Sequence, residues 1–144
     1  MAHPQAHVLG VDQSAERLAR APELPDNARL LRAELADFWR LLLAAGWSVE
    51  QHYLFYPNPW PKAAHLRRRW HAHPVFPALL AIGGRLEMRT NFPIYAEEFA
   101  RALRCSGHAD ASLLQLRVEE PVSPFERKYR DSGHPLFQVI VDLS

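Results

Sequence analysis

Residues 56–69 read YPNPWPKAAHLRRR: three prolines alternate with an asparagine and a tryptophan, and a lysine, a histidine and three arginines follow. Proline has no N–H to give to a β-ladder, so a strand running into this knot must stop there. The run before it, SVEQHYLFY at 48–56, has the aromatic and β-branched content of a strand. A rigid loop at the carboxyl end of a strand is where α/β sheets collect their ligand-binding groups. Whether the fold is α/β therefore turns on the segments to either side.

Upstream, HVLGVD at 7–12 is a short apolar run ending in an acid, and SAERLARA places helix formers behind a serine cap. ARLLRA at 28–33 reads as a second strand ending near Glu34. Leu35, Phe38, Trp39, Leu42 and Leu43 then recur at helical spacing as one apolar face, which Gly46 closes. Downstream, a helical stretch near 74–82 stops at Gly83 and Gly84, and RLEMRT alternates as a strand ending at Thr90 and Asn91. Residues 95–103 read as a helix. LLQLRVE at 113–119 and LFQVIVDL at 136–143 read as late strands around an irregular segment, PVSPFERKYRDSG. The early alternation predicts an α/β sheet with parallel strands, formed by one domain over residues 1–144.

Composition agrees with that class. The chain has 144 residues, 48% of them hydrophobic and 23% charged, the balance of one globular domain. Its apolar runs fall far short of the ~20 residues a spanning helix needs, and its first ten residues carry no signal-peptide run, so the expectation is a cytoplasmic protein without a membrane partner. A lone cysteine, Cys105, excludes an intrachain disulfide and a cysteine-based metal site. The net charge of +1 gives no overall attraction to nucleic acid, but KAAHLRRRWH at 62–71 concentrates four of the 17 basic side chains with no acid among them. A solvated helix face is the plain reading of such a run, and a phosphate-binding patch is the functional one. His65, His71 and His73 lack an acid or cysteine at ligand spacing, so no metal is expected.

The sheet rule sorts the remaining candidates. Asp12, Glu34, the Asn58–Lys62 knot and Asn91 each follow successive strands, so one edge collects residues dispersed in sequence. An acid after the second strand of a nucleotide-binding unit takes ribose hydroxyls. Taken singly, each is an ordinary cap or turn residue.

With these residues in view, YPNPWPKAAHLRRR resembles the signature of bacterial tRNA (guanine-N7) methyltransferases, F-P-D-P-W-P-K followed by a basic R-H-x-K-R-R segment. The resemblance extends to GVD at 10–12 for that family's G-I-E and to NARLLRAEL at 27–35 for its hydrophobic run ending in an acid. It continues with GGRLEMRTN at 83–91 for G-G-x-L-x-x-x-T-D and SPFERKYRDSGH at 123–134 for T-x-F-E-x-R-G-x-x-x-G-H. It implies a Rossmann-like class I methyltransferase sheet with helices on both faces, S-adenosyl-L-methionine as cofactor and tRNA as partner. By the same resemblance, Asp12 holds the cofactor ribose, Glu34 lies near its adenine, and Asn58 takes the catalytic carboxylate position beside the cofactor. Lys62, Asn91, Ser123, Pro124, Phe125 and Glu126 fall at positions associated with the substrate guanosine, and Arg67, Arg68 and Arg69 suit RNA phosphates.

Departures from the pattern carry chemistry. Asn58 and Asn91 each stand for an aspartate, and Ser123 for a threonine. Guanine N7 bears no proton, so methyl transfer needs alignment and charge placement rather than a general base. An asparagine supplies a hydrogen-bond acceptor but no charge. Asn-Pro-Trp also resembles the Asn-Pro-Pro-aromatic loop of methyltransferases that act on exocyclic base amines. The family's first strand, its glycine-rich turn and most of its first helix have no counterpart here, so the resemblance implies an N-terminally truncated sheet whose unpaired strands could form a homodimer. A non-catalytic RNA-binding remnant of the fold and a generic small-molecule methyltransferase are the remaining alternatives, and the latter leaves the arginine run without a role.

Overall fold

The computed structural model describes residues 4–144. Its strands fall where the apolar runs predict: β1 (Val8–Asp12), β2 (Ala28–Arg32), β3 (Gln51–Phe55), β4 (Arg85–Thr90), β5 (Ser112–Leu116) and β6 (Leu136–Asp142). The helices are α1 (Ala15–Ala19), α2 (Leu35–Ala44), α3 (Phe76–Ile82), α4 (Pro93–Cys105) and α5 (Pro124–Asp131), with 3-10 turns at Ala63–Arg68 and Trp70–Ala72. Ser14 caps α1 by accepting from the Arg17 amide, as the sequence suggests. The segment at 121–133, expected to be irregular, instead contains α5. Its signal is Ser123 at the N-cap, Pro124 at the first turn and Glu126 three residues on.

The α/β class holds, but the strands are not all parallel. β1 and β2 form a parallel pair, and a second sheet has the order β3-β4-β6-β5. Within it β3 and β4 run parallel, whereas β6 lies antiparallel to both β4 and β5. Only the βαβ units enforce parallel neighbours; β6 follows α5 closely and enters the sheet between β4 and β5 in the opposite sense.

The core sits on one face of the four-stranded sheet. Leu54, Leu86, Met88, Val139 and Val141 pack there against Leu79 and Ile82 of α3 and Tyr95, Phe99 and Leu103 of α4. Helix α2 joins this core through Ala36 and Trp39, whose ring meets Trp70 edge-on at 4.9 Å. Tight packing at the start of β4 requires Gly84: a Cβ there would lie 1.8 Å from the Val49 carbonyl oxygen, at a φ of +85°. The register puts Tyr53, Phe55, Glu87, Arg89 and Gln138 on the opposite face, outside that core.

Among the described residues β1 pairs only with β2 and β3 only with β4, so each leaves one edge unpaired. Of the two sheets the β1–β2 pair is the less covered, with Val8, Leu9, Leu30 and Leu31 all exposed. No described helix is long and apolar enough to cross a membrane.

Candidate active site

The proline knot leaves the carboxyl end of β3 in a strained conformation. Among the described residues Tyr56 and Trp60 are the two non-glycine residues with positive φ, +53° and +44°. Strain of this kind persists only where surrounding contacts over-determine it. Asn58 supplies one such contact, its Oδ1 accepting from the Trp60 amide at 3.2 Å in a local turn. Arg69 supplies a second: Nε donates to the Pro59 carbonyl at 2.9 Å, Nη2 to the Trp60 carbonyl at 3.1 Å, and Nη1 to Glu98 of α4. Glu98 also meets His71 Nε2 at 3.2 Å, while burial holds the His71 imidazole below its ordinary pKa.

Arg69 is therefore corrected as a phosphate ligand. It is only 5% exposed and its guanidinium is spent on the knot. Its neighbours differ because the 3-10 turn Ala63–Arg68 ends at Arg69, leaving Arg67 and Arg68 on the exposed side with Lys62. The Arg68 guanidinium lies 4.7 Å from the centre of the Trp60 ring, so one face of that indole is already covered.

A second cluster ties the knot to the C-terminal segment. Glu126 is fully buried and accepts from the Tyr56 hydroxyl at 2.7 Å, from Arg89 Nη1 at 2.9 Å and from the Val122 amide at 2.7 Å. Burial pushes its carboxyl up, but the Val122, Arg89 and Tyr56 bonds outweigh that and hold it below the ordinary value. Burial, and after it the same hydrogen bond, drives the Tyr56 hydroxyl upward. Arg89 is anchored further by Glu87, which also accepts from Gln138. Ser123 Oγ caps α5 at the Glu126 amide. Of the expected guanosine segment, Ser123 and Glu126 thus face inward to the fold, and Pro124 and Phe125 are exposed.

The hydrogen bond between Tyr56 and Glu126, 70 residues apart, brings the knot that holds Asn58 to the 123–126 segment at the carboxyl edge of β3 and β4, where Asn91 follows β4, and Lys62 stands further along the knot, ahead of the 3-10 turn. Asp12 and Glu34 stand at the carboxyl ends of β1 and β2, in the other sheet. Asp12 accepts from the Ser14 amide and from Nε and Nη2 of Arg17, and Glu34 caps α2 at the Ala36 amide. A cavity of about 430 Å³ opens at the opposite edge, beside Glu50, Gly84 and Asp142. No group of three or more His, Cys, Asp or Glu side chains able to hold a metal ion occurs among the described residues.

A family model described as "Putative methyltransferase" matches residues 1–139. The chain belongs to this methyltransferase family. It is 29% identical over 150 residues to the tRNA (guanine-N(7)-)-methyltransferase of Leifsonia xyli, covering 95% of this chain and 66% of that protein. It is 33% identical over 140 residues to the protein of the same name from Rhodococcus jostii, covering 93% of this chain and 51% of that one. The solved structure of "a putative methyltransferase from Thermoplasma acidophilum" shares the fold, with a TM-score of 0.50 and 17% identity over 93% of this chain and 56% of that chain. The chain thus spans between about half and two thirds of the length of these three proteins.

Within a methyltransferase fold the residues that sequence reasoning passed over, Tyr56, Arg89 and Glu98, are those that hold the edge together. Tyr56 carried a signal, since the family signature has phenylalanine there and only the hydroxyl reaches Glu126. Glu98 carried none, because a helical glutamate 29 residues from its arginine looks like any solvated one.

Proposed function

We propose that this chain carries the tRNA-facing edge of an S-adenosylmethionine-dependent enzyme that transfers a methyl group to N7 of a tRNA guanosine in the cytoplasm. The observation that supports it most is the Tyr56–Glu126 hydrogen bond, which gathers the knot and the 123–126 segment into one place. Arg67, Arg68 and Lys62 are exposed beside the knot, suited to the phosphates of a folded RNA. Pro61 and Lys62, which follow Asn58 as they follow the aspartate of the guanine-N7 signature, favour N7 over an exocyclic amine.

S-adenosylmethionine fits this chain only in part. Asp12 already accepts three hydrogen bonds of the roughly four a carboxylate takes, and Glu34 keeps one oxygen clear of its cap. Together they suit the hydroxyl-rich rim of a nucleoside. The glycines, at 10, 46, 83, 84, 107 and 133, form no glycine-rich turn that would let backbone approach the rest of the cofactor. A second reading, an RNA-binding module of the same fold without catalysis, rests on the exposed Arg67, Arg68 and Lys62, which suit RNA independently of any cofactor.

Mass spectrometry of nucleosides from tRNA incubated with the protein and S-adenosylmethionine tests both. The expected product is 7-methylguanosine, at low yield. Asn58→Asp should raise the yield, because a carboxylate stabilises the cationic purine, by an amount on the order of 2 kcal/mol in the barrier. Lys62→Ala should lower it. A methyl on an exocyclic amine would overturn the N7 assignment, and tRNA binding with no methyl in either form would establish the second reading.

A further inference from the structure

His134 is exposed, yet three separate contacts fix it. Its amide donates to the Tyr129 carbonyl at 3.0 Å while Gly133, at a φ of +73°, donates to Arg130, the paired bonds that end a helix in a left-handed cap. Its ring lies 5.4 Å from that of Tyr129, which in turn lies 5.5 Å from Tyr56 at the entrance to the knot. Its Nδ1 meets Asn91 Nδ2 at 3.3 Å, at the end of β4. Ordering an exposed side chain costs rotamer entropy and returns little stability. Such order is useful at a binding edge.

The contact with Asn91 also sets the proton. With the Asn91 amide turned so that Nδ2 meets the ring, that nitrogen donates, Nδ1 accepts and the ring proton sits on Nε2. Nε2 has no hydrogen-bond partner among the described residues, so an N–H donor stands exposed at the edge that holds Asn58 and Asn91. Guanine presents two acceptors on that side of the base, N7 and O6, where adenine presents N7 and an N6 amine. A donor to O6 grips guanine while leaving the N7 lone pair free to react, and the same donor faces another donor on adenine.

We infer that His134 is a specificity residue that reads guanine through O6, its Nε2–H held outward by Asn91. This rests on the guanine-N7 reading above and adds to it the group that selects the base. A charged imidazolium would keep the Nε2–H but lose the Asn91 bond.

Long-range ¹H–¹⁵N NMR of the full chain, titrated with GMP, IMP and AMP, tests it without requiring catalysis. The His134 ring, assigned by its loss in His134→Gln, should show the Nε2–H tautomer. Its Nε2 signal should move with GMP and IMP, which share O6, and not with AMP. His134→Leu should weaken GMP binding about fivefold, the worth of one hydrogen bond, and leave AMP unchanged. His134→Gln, which keeps an N–H donor, should recover most of the loss. The side chain is exposed, so neither variant should disturb the fold. An Nδ1–H tautomer, or equal responses to GMP and AMP, would overturn the inference. If GMP shifts the Asn58 and Lys62 amides but not His134, the inference falls and the guanosine site stands. If GMP shifts nothing at this edge, both fall.

Discussion

At the scale of single residues, Arg67, Arg68 and Arg69 look alike in sequence and do opposite work. Arg69 holds two knot carbonyls and Glu98 from a buried position, so Arg69→Ala should cost about 2 kcal/mol in urea unfolding, the worth of hydrogen bonds to a charged group. Alanine at Arg67 and Arg68 should change stability by less than about 0.5 kcal/mol. It should instead flatten the salt dependence of tRNA binding by about 0.7 to 0.9 log units per lost phosphate contact. Equal stability losses at all three positions would contradict this division. Burial divides them, and burial follows from where the 3-10 turn ends, which a run of three arginines does not encode. Glu126 makes the same point for pH. Its folded carboxyl lies below the ordinary 4.5, so its stabilising contribution is complete above that value and is lost as pH falls through the lower folded value. Glu126→Gln should be less stable than the parent at pH 7, and the gap should narrow as pH falls below the ordinary 4.5, as read by urea midpoints across that range.

At the scale of elements, the strands were legible because each is a short apolar run bounded by a turn residue or proline, as at Val8–Asp12 and Gln51–Phe55. Helix α5 was not, because PFERKYRD has one buried side chain and that one is a glutamate. Its apolar periodicity is absent and only its cap announces it. The burial of the elements predicts an order of stability. Strands β4 and β6 bury Leu86, Met88, Val139 and Val141 almost completely, whereas four of the apolar residues of β1 and β2 are exposed. Amide hydrogen exchange should therefore be slowest in β4, β6 and α4 and much faster in β1 and β2, the latter opening below the global unfolding free energy. Uniform protection across both sheets would show that the β1–β2 pair is held by more than α1.

At the scale of the whole molecule, the site's neighbourhood was readable and its completeness was not. The carboxyl-edge rule places Asn58, Lys62 and Asn91 together from sequence order alone, but which edges end up unpaired depends on pairings across the whole chain. In the structure α2 packs on the core of the four-stranded sheet while the β1–β2 pair meets α1, and β1 and β3 each keep an open row of backbone donors and acceptors among the described residues. Open parallel edges recruit strands from other chains. The exposed Val8, Leu9, Leu30 and Leu31 add an apolar surface to that edge. The 144-residue chain should consequently self-associate, as a dimer through these edges or as larger species, and its sedimentation should shift with concentration. Its affinity for S-adenosylmethionine should be weak in isothermal titration, because Asp12 and Glu34 supply a rim without a cradle. The two expectations are linked through the edges. If an added strand completes the sheet, cofactor affinity should rise with protein concentration as the associated form becomes populated. A strictly monomeric sample with one sharp thermal transition and low-micromolar cofactor binding would show instead that the two sheets already form a finished site.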